Sequence, residues 1–179
     1  MSLLLATLLP GLFLLLVGAP LLLGSAGAEA ALKSFPRSQS ASWVLFGGAA
    51  VWFLHNVWHL SPADFGEYRA ALFIGFAAIA ILSFKCVPDF LAVRGACVLV
   101  LLCAMPLLDA AYMEYDHPQR LFMVSLVYVV ISLAIWLGAQ PWRARDVIEW
   151  AFARPGRGRV VGGSLALYGL LLCGLAFTY

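Results

Sequence analysis

Charged side chains are scarce in this sequence: Asp, Glu, Lys and Arg together make up 11% of its 179 residues, against about 25% in a soluble domain. Hydrophobic residues supply 64% of the chain, against roughly 45–50% in a soluble domain. A soluble globule needs a charged shell that this chain cannot supply, so the composition indicates apolar surface that faces lipid. The net charge of +2 is too small to indicate nucleic acid as a partner.

Sequence signatures of chemistry are also absent. The chain has four cysteines, but none forms a C-x-x-C pair or a Cys/His spacing typical of zinc. Cys97, Cys103 and Cys173 lie in apolar runs, where cysteine behaves as a small hydrophobe, and we expect no disulfide. No nucleophile elbow, phosphate loop or dinucleotide fingerprint is found. The sequence therefore names no reaction and no cofactor, and it favours a protein that is not an enzyme.

Six apolar runs are long enough to cross a bilayer, which requires about 20 residues in a helix. The predicted spans cover residues 3–23, 41–60, 70–87, 90–108, 121–140 and 160–178. No polar stretch between them is long enough to fold as a soluble domain. The sequence therefore predicts an all-α, polytopic transmembrane bundle in which residues 1–179 form one integral membrane domain.

The first run raises the question of a cleaved signal peptide, because Ala28-Glu29-Ala30 resembles a signal-peptidase site. No Lys or Arg precedes the run, so the basic segment of a signal peptide is missing. The run is also longer than the apolar segment of a typical signal peptide. We expect the first span to be retained.

Positive charge is distributed unevenly over the connections between the spans. Nine of the eleven Lys and Arg residues fall in the first, third and fifth connections or in the helix turns next to them. Because cytoplasmic loops carry the excess of Lys and Arg, these connections are predicted to be cytoplasmic, with both termini outside. The membrane predicted is the bacterial inner membrane. Five carboxylates fall on the outer side: Asp64, Glu67, Asp109, Glu114 and Asp116.

Residues 142–153 show the periodicity of a short amphipathic helix before the last span. Its predicted apolar face consists of Ala144, Val147, Ile148, Ala151 and Phe152. Indoles favour the headgroup level and arginines favour anionic lipid phosphates, so this helix is predicted to lie on the cytoplasmic leaflet. The predicted lipid-interface residues are Trp142, Arg143, Arg145, Trp150, Arg154, Arg157 and Arg159. Alternatively, these arginines only orient the last two spans.

The histidines form the one chemically suggestive group. His55 and His59 are four residues apart and share a helix face near the outer end of the second span. His117 and Asp109 are expected on the same side of the membrane. The pair is explained as structural hydrogen bonding, as a metal site of His55, His59, Asp109 and His117, or as axial ligation of a haem. Proton or quinone chemistry is a further alternative.

Small residues predict where helices approach one another closely. In the second span they form the run Gly47-Gly48-Ala49-Ala50, and in the third they are Ala71, Gly75 and Ala78. In the last span they are Gly162, Ala166, Gly169 and Cys173.

Three functions remain open from the sequence. The first is a non-enzymatic accessory, assembly or scaffold subunit that meets other membrane subunits, which is favoured by the short loops and by spans without central charges. The second is a metal-binding or haem-binding redox protein that uses His55 and His59. The third is a small-solute transporter, for which Pro10 and Pro106 hint at broken helices.

Overall fold

The structure, a computed structural model, describes residues 1–154 and 156–179. It is 83% helical, and the described residues include no strand, which confirms the all-α fold class. The α-helices are α1 (Leu3–Leu22), α2 (Ala26–Ser34), α3 (Gln39–Trp58), α4 (Arg69–Cys86), α5 (Leu91–Ala111), α6 (Arg120–Ala139), α7 (Trp142–Phe152) and α8 (Arg157–Ala176). Each of the six predicted spans coincides with one of these helices to within a few residues.

Five segments of the described chain are helical, long enough and apolar enough to cross a membrane. They are Leu3–Leu22, Gly66–Cys86, Leu91–Ala111, Arg120–Ala139 and Arg157–Ala176. Helix α3 is not among these five segments. It has the same length as α1, 20 residues, but its tryptophans, histidine and asparagine lower its mean hydropathy. Helices α1 and α5 run without interruption through Pro10 and Pro106, so the helix breaks at which these prolines hinted are not present.

Helices α1 and α8 run antiparallel and pack backbone against backbone. A Cβ atom added to Gly169 would lie 2.8 Å from the carbonyl oxygen of Gly11, and one added to Gly18 would lie 2.8 Å from that of Gly162. Carbon atoms do not approach oxygen so closely, so these positions exclude any side chain. The prediction for the last span is confirmed, since its small residues lie at this contact: Gly162, Ala166, Gly169 and Cys173.

Helices α5 and α6 pack against this pair and connect it to the rest of the bundle. A buried apolar cluster joins the start of α1 and the end of α8 to the end of α5 and the start of α6. Met123 and Leu172 are fully buried there. A second cluster, built around Val93, Cys97 and Ala134, includes Ala144 of α7. Helix α5 thus runs through the middle of the chain and contacts both flanks.

Helices α3 and α4 form the other flank, and aromatic side chains join them. The ring of Trp43 stacks on Phe84 at 4.1 Å between centroids. At the far end Trp58 meets Phe73 edge to face at 5.5 Å. Helix α3 in turn packs against α5, where Gly95 abuts the backbone of Phe46. Helix α4 has no buried residue and packs chiefly against α3.

The predicted helix contacts of the second and third spans are largely wrong within this chain. A Cβ atom added to Gly47, Gly48 or Gly75 would meet nothing within 4 Å. Ala71 and Ala78 are also exposed, whereas Ala49 is buried against the bundle. Aromatic rings rather than these glycines form the contact between α3 and α4.

The connections sort to two ends of the bundle. The acidic end contains the starts of α1, α4 and α6 and the ends of α3, α5 and α8. Two bonds tie it together: Thr7 Oγ1 donates to Tyr179 Oη at 3.3 Å, and Gln119 Nε2 donates to Thr178 Oγ1 at 3.2 Å. The opposite, basic end contains α2, α7 and the other helix ends. The acidic end carries these carboxylates: Asp64, Glu67, Asp109, Glu114 and Asp116.

Helix α2 at the basic end was not predicted. Gly24 adopts a positive φ of 68° after α1, which turns the chain, and the Ser25 hydroxyl then accepts from the N–H of Ala28 to cap α2. The Lys33 ammonium and the Glu29 carboxylate pair at 2.6 Å along its exposed side. The capping serine and this i, i+4 pair were the sequence signals for the helix.

Candidate functional site

The histidine pair lies at the acidic end, where α3 terminates. The His55 and His59 rings are 4.3 Å apart between centroids, and both side chains are exposed. Nδ1 of His59 lies 2.8 Å from the carbonyl oxygen of His55. A carbonyl oxygen can only accept, so Nδ1 of His59 is the donor in this hydrogen bond, and the neutral ring then carries its lone pair on Nε2. This geometry offers one imidazole lone pair beside a second, unconstrained ring.

The other two predicted metal ligands have different surroundings. His117 packs edge to face on Tyr179 at 5.4 Å between centroids. Asp109 is exposed in the last turn of α5. In residues 1–154 and 156–179, no three His, Cys, Asp or Glu side chains are grouped so that they could hold a metal ion. The metal site of His55, His59, Asp109 and His117 therefore stays a prediction, with the histidine pair as its only observed contact.

Arg120 is a feature of the acidic end that the sequence did not single out. Its guanidinium lies 4.8 Å from the centre of the Tyr115 ring. Its Nη1 atom is buried and has no hydrogen-bond partner in the described part of the chain. A buried guanidinium nitrogen without an acceptor is costly. Arg120 is thus a cation at this end whose contact is with an aromatic ring and one of whose nitrogens is buried without an acceptor.

The basic end is organised around α7. Ala144 is buried on the bundle side, and Ile148, Ala151 and Phe152 are half-buried beside it. Val147, predicted to share that face, is instead 47% exposed. The apolar face that meets the bundle is therefore narrower than predicted.

The predicted lipid-interface residues all reach the surface of this end. Arg157 is half-buried, and the others are exposed: Trp142, Arg143, Arg145, Trp150, Arg154 and Arg159. Their surroundings differ, however. A Cβ atom added to Gly24 would lie 2.9 Å from Nε of Arg159, so this guanidinium packs over the carboxyl end of α1. A cation is favourable there because the last carbonyls of a helix carry partial negative charge.

Arg145 is neutralised within α7. Its Nη2 atom lies 2.9 Å from an Asp146 carboxylate oxygen, and its Nε atom lies 3.7 Å from Glu149. The hydrogen bond and charge of Asp146, with a smaller contribution from Glu149, raise the pKa of Arg145 above its ordinary value. Arg145 and Glu149 line a cleft with residues of α2 and the following turn, Lys33 and Pro36. This side of α7 is thus occupied by internal charge pairs.

Arg143 and Arg157 lie against indole rings instead. The Arg143 guanidinium is 5.9 Å from the Trp136 ring centre, and its Nε donates to Gln140 Oε1 at 3.0 Å. The Arg157 guanidinium is 4.8 Å from the Trp150 ring centre, and its Nη1 donates to the Trp150 carbonyl at 3.4 Å. Sequence reasoning named both arginines but not Trp136 as a partner.

Comparison of the chain with protein-family models, with curated proteins and with solved structures found no match.

Proposed function

We propose that this protein is an integral membrane protein that crosses the bilayer six times. Five helices have the required length and hydropathy. Helix α3 is the sixth span in this proposal, because it lies between α4 and α5 and contacts both along its length. A helix held between two membrane spans shares their depth in the bilayer.

The proposed orientation puts the basic end in the cytoplasm and both chain termini outside, in a bacterial inner membrane. Two observations support it: the concentration of arginine at one end of the bundle, and the carboxylates at the other. A reporter enzyme fused after Tyr179 is expected to be active only outside the cytoplasm. Activity confined to the cytosol would reverse the orientation.

The function that the geometry supports best is that of a non-enzymatic accessory, assembly or scaffold subunit. The observation that carries this proposal is the open flank, defined as the face of α4 that contains Ala71, Gly75 and Ala78. These residues recur at helical spacing, and a Cβ atom on Gly75 would meet nothing within 4 Å. The same kind of surface seats a helix tightly elsewhere in this chain, between α1 and α8. The proposed occupant is an apolar transmembrane helix of another membrane protein.

A photoreactive amino acid placed at Gly75 tests this proposal in intact membranes. We expect an adduct with one defined membrane protein. In the Gly75→Ile variant position 75 is already substituted, so the photoreactive amino acid is placed at Ala78 instead. Gly75→Ile should abolish the adduct from Ala78 because the larger side chain blocks close approach. The matched control is a probe at Leu167, which is 71% exposed on α8. Adducts with lipid alone, or only with a second copy of this chain, would overturn the proposal.

A metal centre at the histidine pair is the second candidate, and the free Nε2 of His59 beside the His55 ring favours it. Two imidazoles supply half of the ligands of a tetrahedral zinc site. Purified protein is expected to bind Co²⁺ or Zn²⁺ in a way that His55→Ala and His59→Ala each abolish, while His117→Ala leaves binding intact. Equal binding by all three variants would remove this candidate, and a Soret band in the optical spectrum would indicate haem instead.

A further inference from the structure

The arginines of α7 and of the start of α8 differ in the groups that they contact. Arg145 is paired with two carboxylates. Arg143 and Arg157 have no carboxylate oxygen within 4 Å in the described part of the chain. Both arginines follow their tryptophan by seven residues, across the α6–α7 and α7–α8 boundaries respectively. The chain thus builds the same arginine–indole contact twice at one end of the bundle and leaves the charge of both without an ionic partner.

The two indoles indicate which way these cations face. Trp136 is 42% exposed near the end of α6, and Trp150 is 56% exposed on α7. Arg143, Val147 and Trp150 follow one another at spacings of four and three residues, so they share one side of α7. Because Arg143 contacts Trp136, this side of α7 lies over the exposed face of α6. This side therefore looks away from the bundle and from the charge pairs of Arg145.

We propose that Arg143 and Arg157, each seated on its tryptophan, bind the phosphate groups of anionic phospholipids in the cytoplasmic leaflet. This inference rests on the proposed orientation, in which the basic end lies at that leaflet. Indoles lie at headgroup depth in a bilayer, so a guanidinium 4.8 or 5.9 Å from an indole centre lies close to the depth of the phosphates. The guanidinium is also the group best suited to bind phosphate through two N–H donors.

The donors that remain free suit this task. Arg143 uses Nε for Gln140, which leaves both terminal nitrogens available. Arg157 uses Nη1 for the Trp150 carbonyl, which leaves Nε and Nη2. Arg143 and Trp150 are seven residues apart, which is roughly 10 Å along a helix. The two contacts therefore hold two separate phosphate groups rather than one.

The test measures anionic lipid retained by the purified full-length protein. The protein is reconstituted into bilayer discs of phosphatidylcholine with one-fifth phosphatidylglycerol, extracted gently, and analysed by native mass spectrometry. Arg143→Gln and Arg157→Gln are each expected to remove one of the two retained phosphatidylglycerol molecules, because the affinity at the altered site falls roughly fivefold. Arg145→Gln is the matched control, because its charge is already neutralised within α7, and we expect retention close to that of the native sequence. Unchanged retention in Arg143→Gln and Arg157→Gln, or an equal loss in Arg145→Gln, would overturn the proposal.

Two further arms make the result specific. Inorganic phosphate at millimolar concentration should not displace the lipid; displacement would identify a free-phosphate site instead and would contradict the proposal. Arg143→Lys and Arg157→Lys keep the charge but lose the planar guanidinium with its paired N–H donors, so they should retain an intermediate amount of lipid and remain folded. Full retention by both lysine variants would show that charge alone suffices and would overturn the role of the paired donors.

The failure of this inference is distinguishable from failure of the proposed function. Lost lipid specificity together with an active external reporter would leave the orientation and the scaffold proposal standing. A cytosolic reporter would overturn the orientation, whatever the lipid measurements give.

Discussion

The two helix pairs on opposite flanks of the bundle are both antiparallel and both contain small residues, yet they pack differently. Between α1 and α8, glycines on both helices face one another, and the backbones touch. Between α3 and α4, rings such as Trp43 and Phe84 fill the contact, and Gly75 faces open space. Between α1 and α8 the small residues of both helices lie at matching register, which lets the two backbones meet.

This difference assigns different roles to the two flanks. The α1–α8 pair needs no further partner helix, because its small residues already pack against one another within the chain. The α3–α4 pair is attached to the bundle through α3 and keeps a small-residue face unused. A scaffold needs one closed region that gives stability and one open region that gives association. The following variants test that division.

The largest difference in stability is expected between two single variants that carry the same substitution on opposite flanks, Gly162→Ala and Gly75→Ala. A Cβ atom on Gly162 would lie 2.6 Å from Cβ of Leu21 and would also strike the backbone of Leu22. Gly162→Ala should therefore lower the free energy of unfolding by about 1–3 kcal/mol through overpacking. A Cβ atom on Gly75 would meet nothing within 4 Å. Gly75→Ala should therefore lower the free energy of unfolding by no more than about 0.5 kcal/mol, or should raise it.

Thermal unfolding in detergent, followed by circular dichroism, measures both variants. The shared change from Gly to Ala removes helix propensity as an explanation. Equal melting temperatures for the two variants would contradict the assignment of closed and open flanks.

A more local effect is expected when the aromatic contact between α3 and α4 is broken. Phe84→Ala removes both the stack on Trp43 and the edge contact with Phe46 at 5.4 Å. Such aromatic pairs contribute about 0.5–1.5 kcal/mol each beyond the area they bury. Amide hydrogen exchange in detergent should accelerate in α4 while α1 stays protected. Phe13→Ala is the control, because Phe13 is 66% exposed on α1, and faster exchange in both helices would contradict the independence of the flanks.

The helices themselves could be predicted from the sequence, whereas their pairing could not. Apolar runs of about 20 residues give spans by length alone, and α7 follows from its 3.6-residue periodicity. Which glycine meets which depends on register between distant helices, so Gly11 and Gly18 were not anticipated as the partners of α8. Helix α2 was missed because its capping serine lies in a connection that was interpreted for its charge and for a signal-peptidase site, and not for helix caps.

In the candidate sites too, contacts within one helix could be predicted from the sequence, whereas contacts between helices could not. The contact of His55 with His59 follows from their spacing on one helix. The contacts of Arg143 with Trp136 and of Arg157 with Trp150 cross turns between helices, so no helical spacing rule applies to them. Arg145 could not be distinguished from its neighbours until its distances to Asp146 and Glu149 were known.

The smallest effect concerns a hydroxyl pair that belongs to the closed flank alone. The Thr7 side chain is fully buried in α1, and its hydroxyl donates to Tyr179 at the acidic end. Across the contact between α3 and α4, the described residues form no side-chain hydrogen bond. Thr7→Val and Tyr179→Phe, combined in a double-mutant cycle, should give a coupling of about 0.6 kcal/mol, the average for such bonds between membrane helices. Thermal unfolding of the four proteins measures it, with Thr178→Val as the control because that hydroxyl bonds Gln119 instead. A coupling indistinguishable from zero would mean that backbone packing by glycine alone closes the α1–α8 flank.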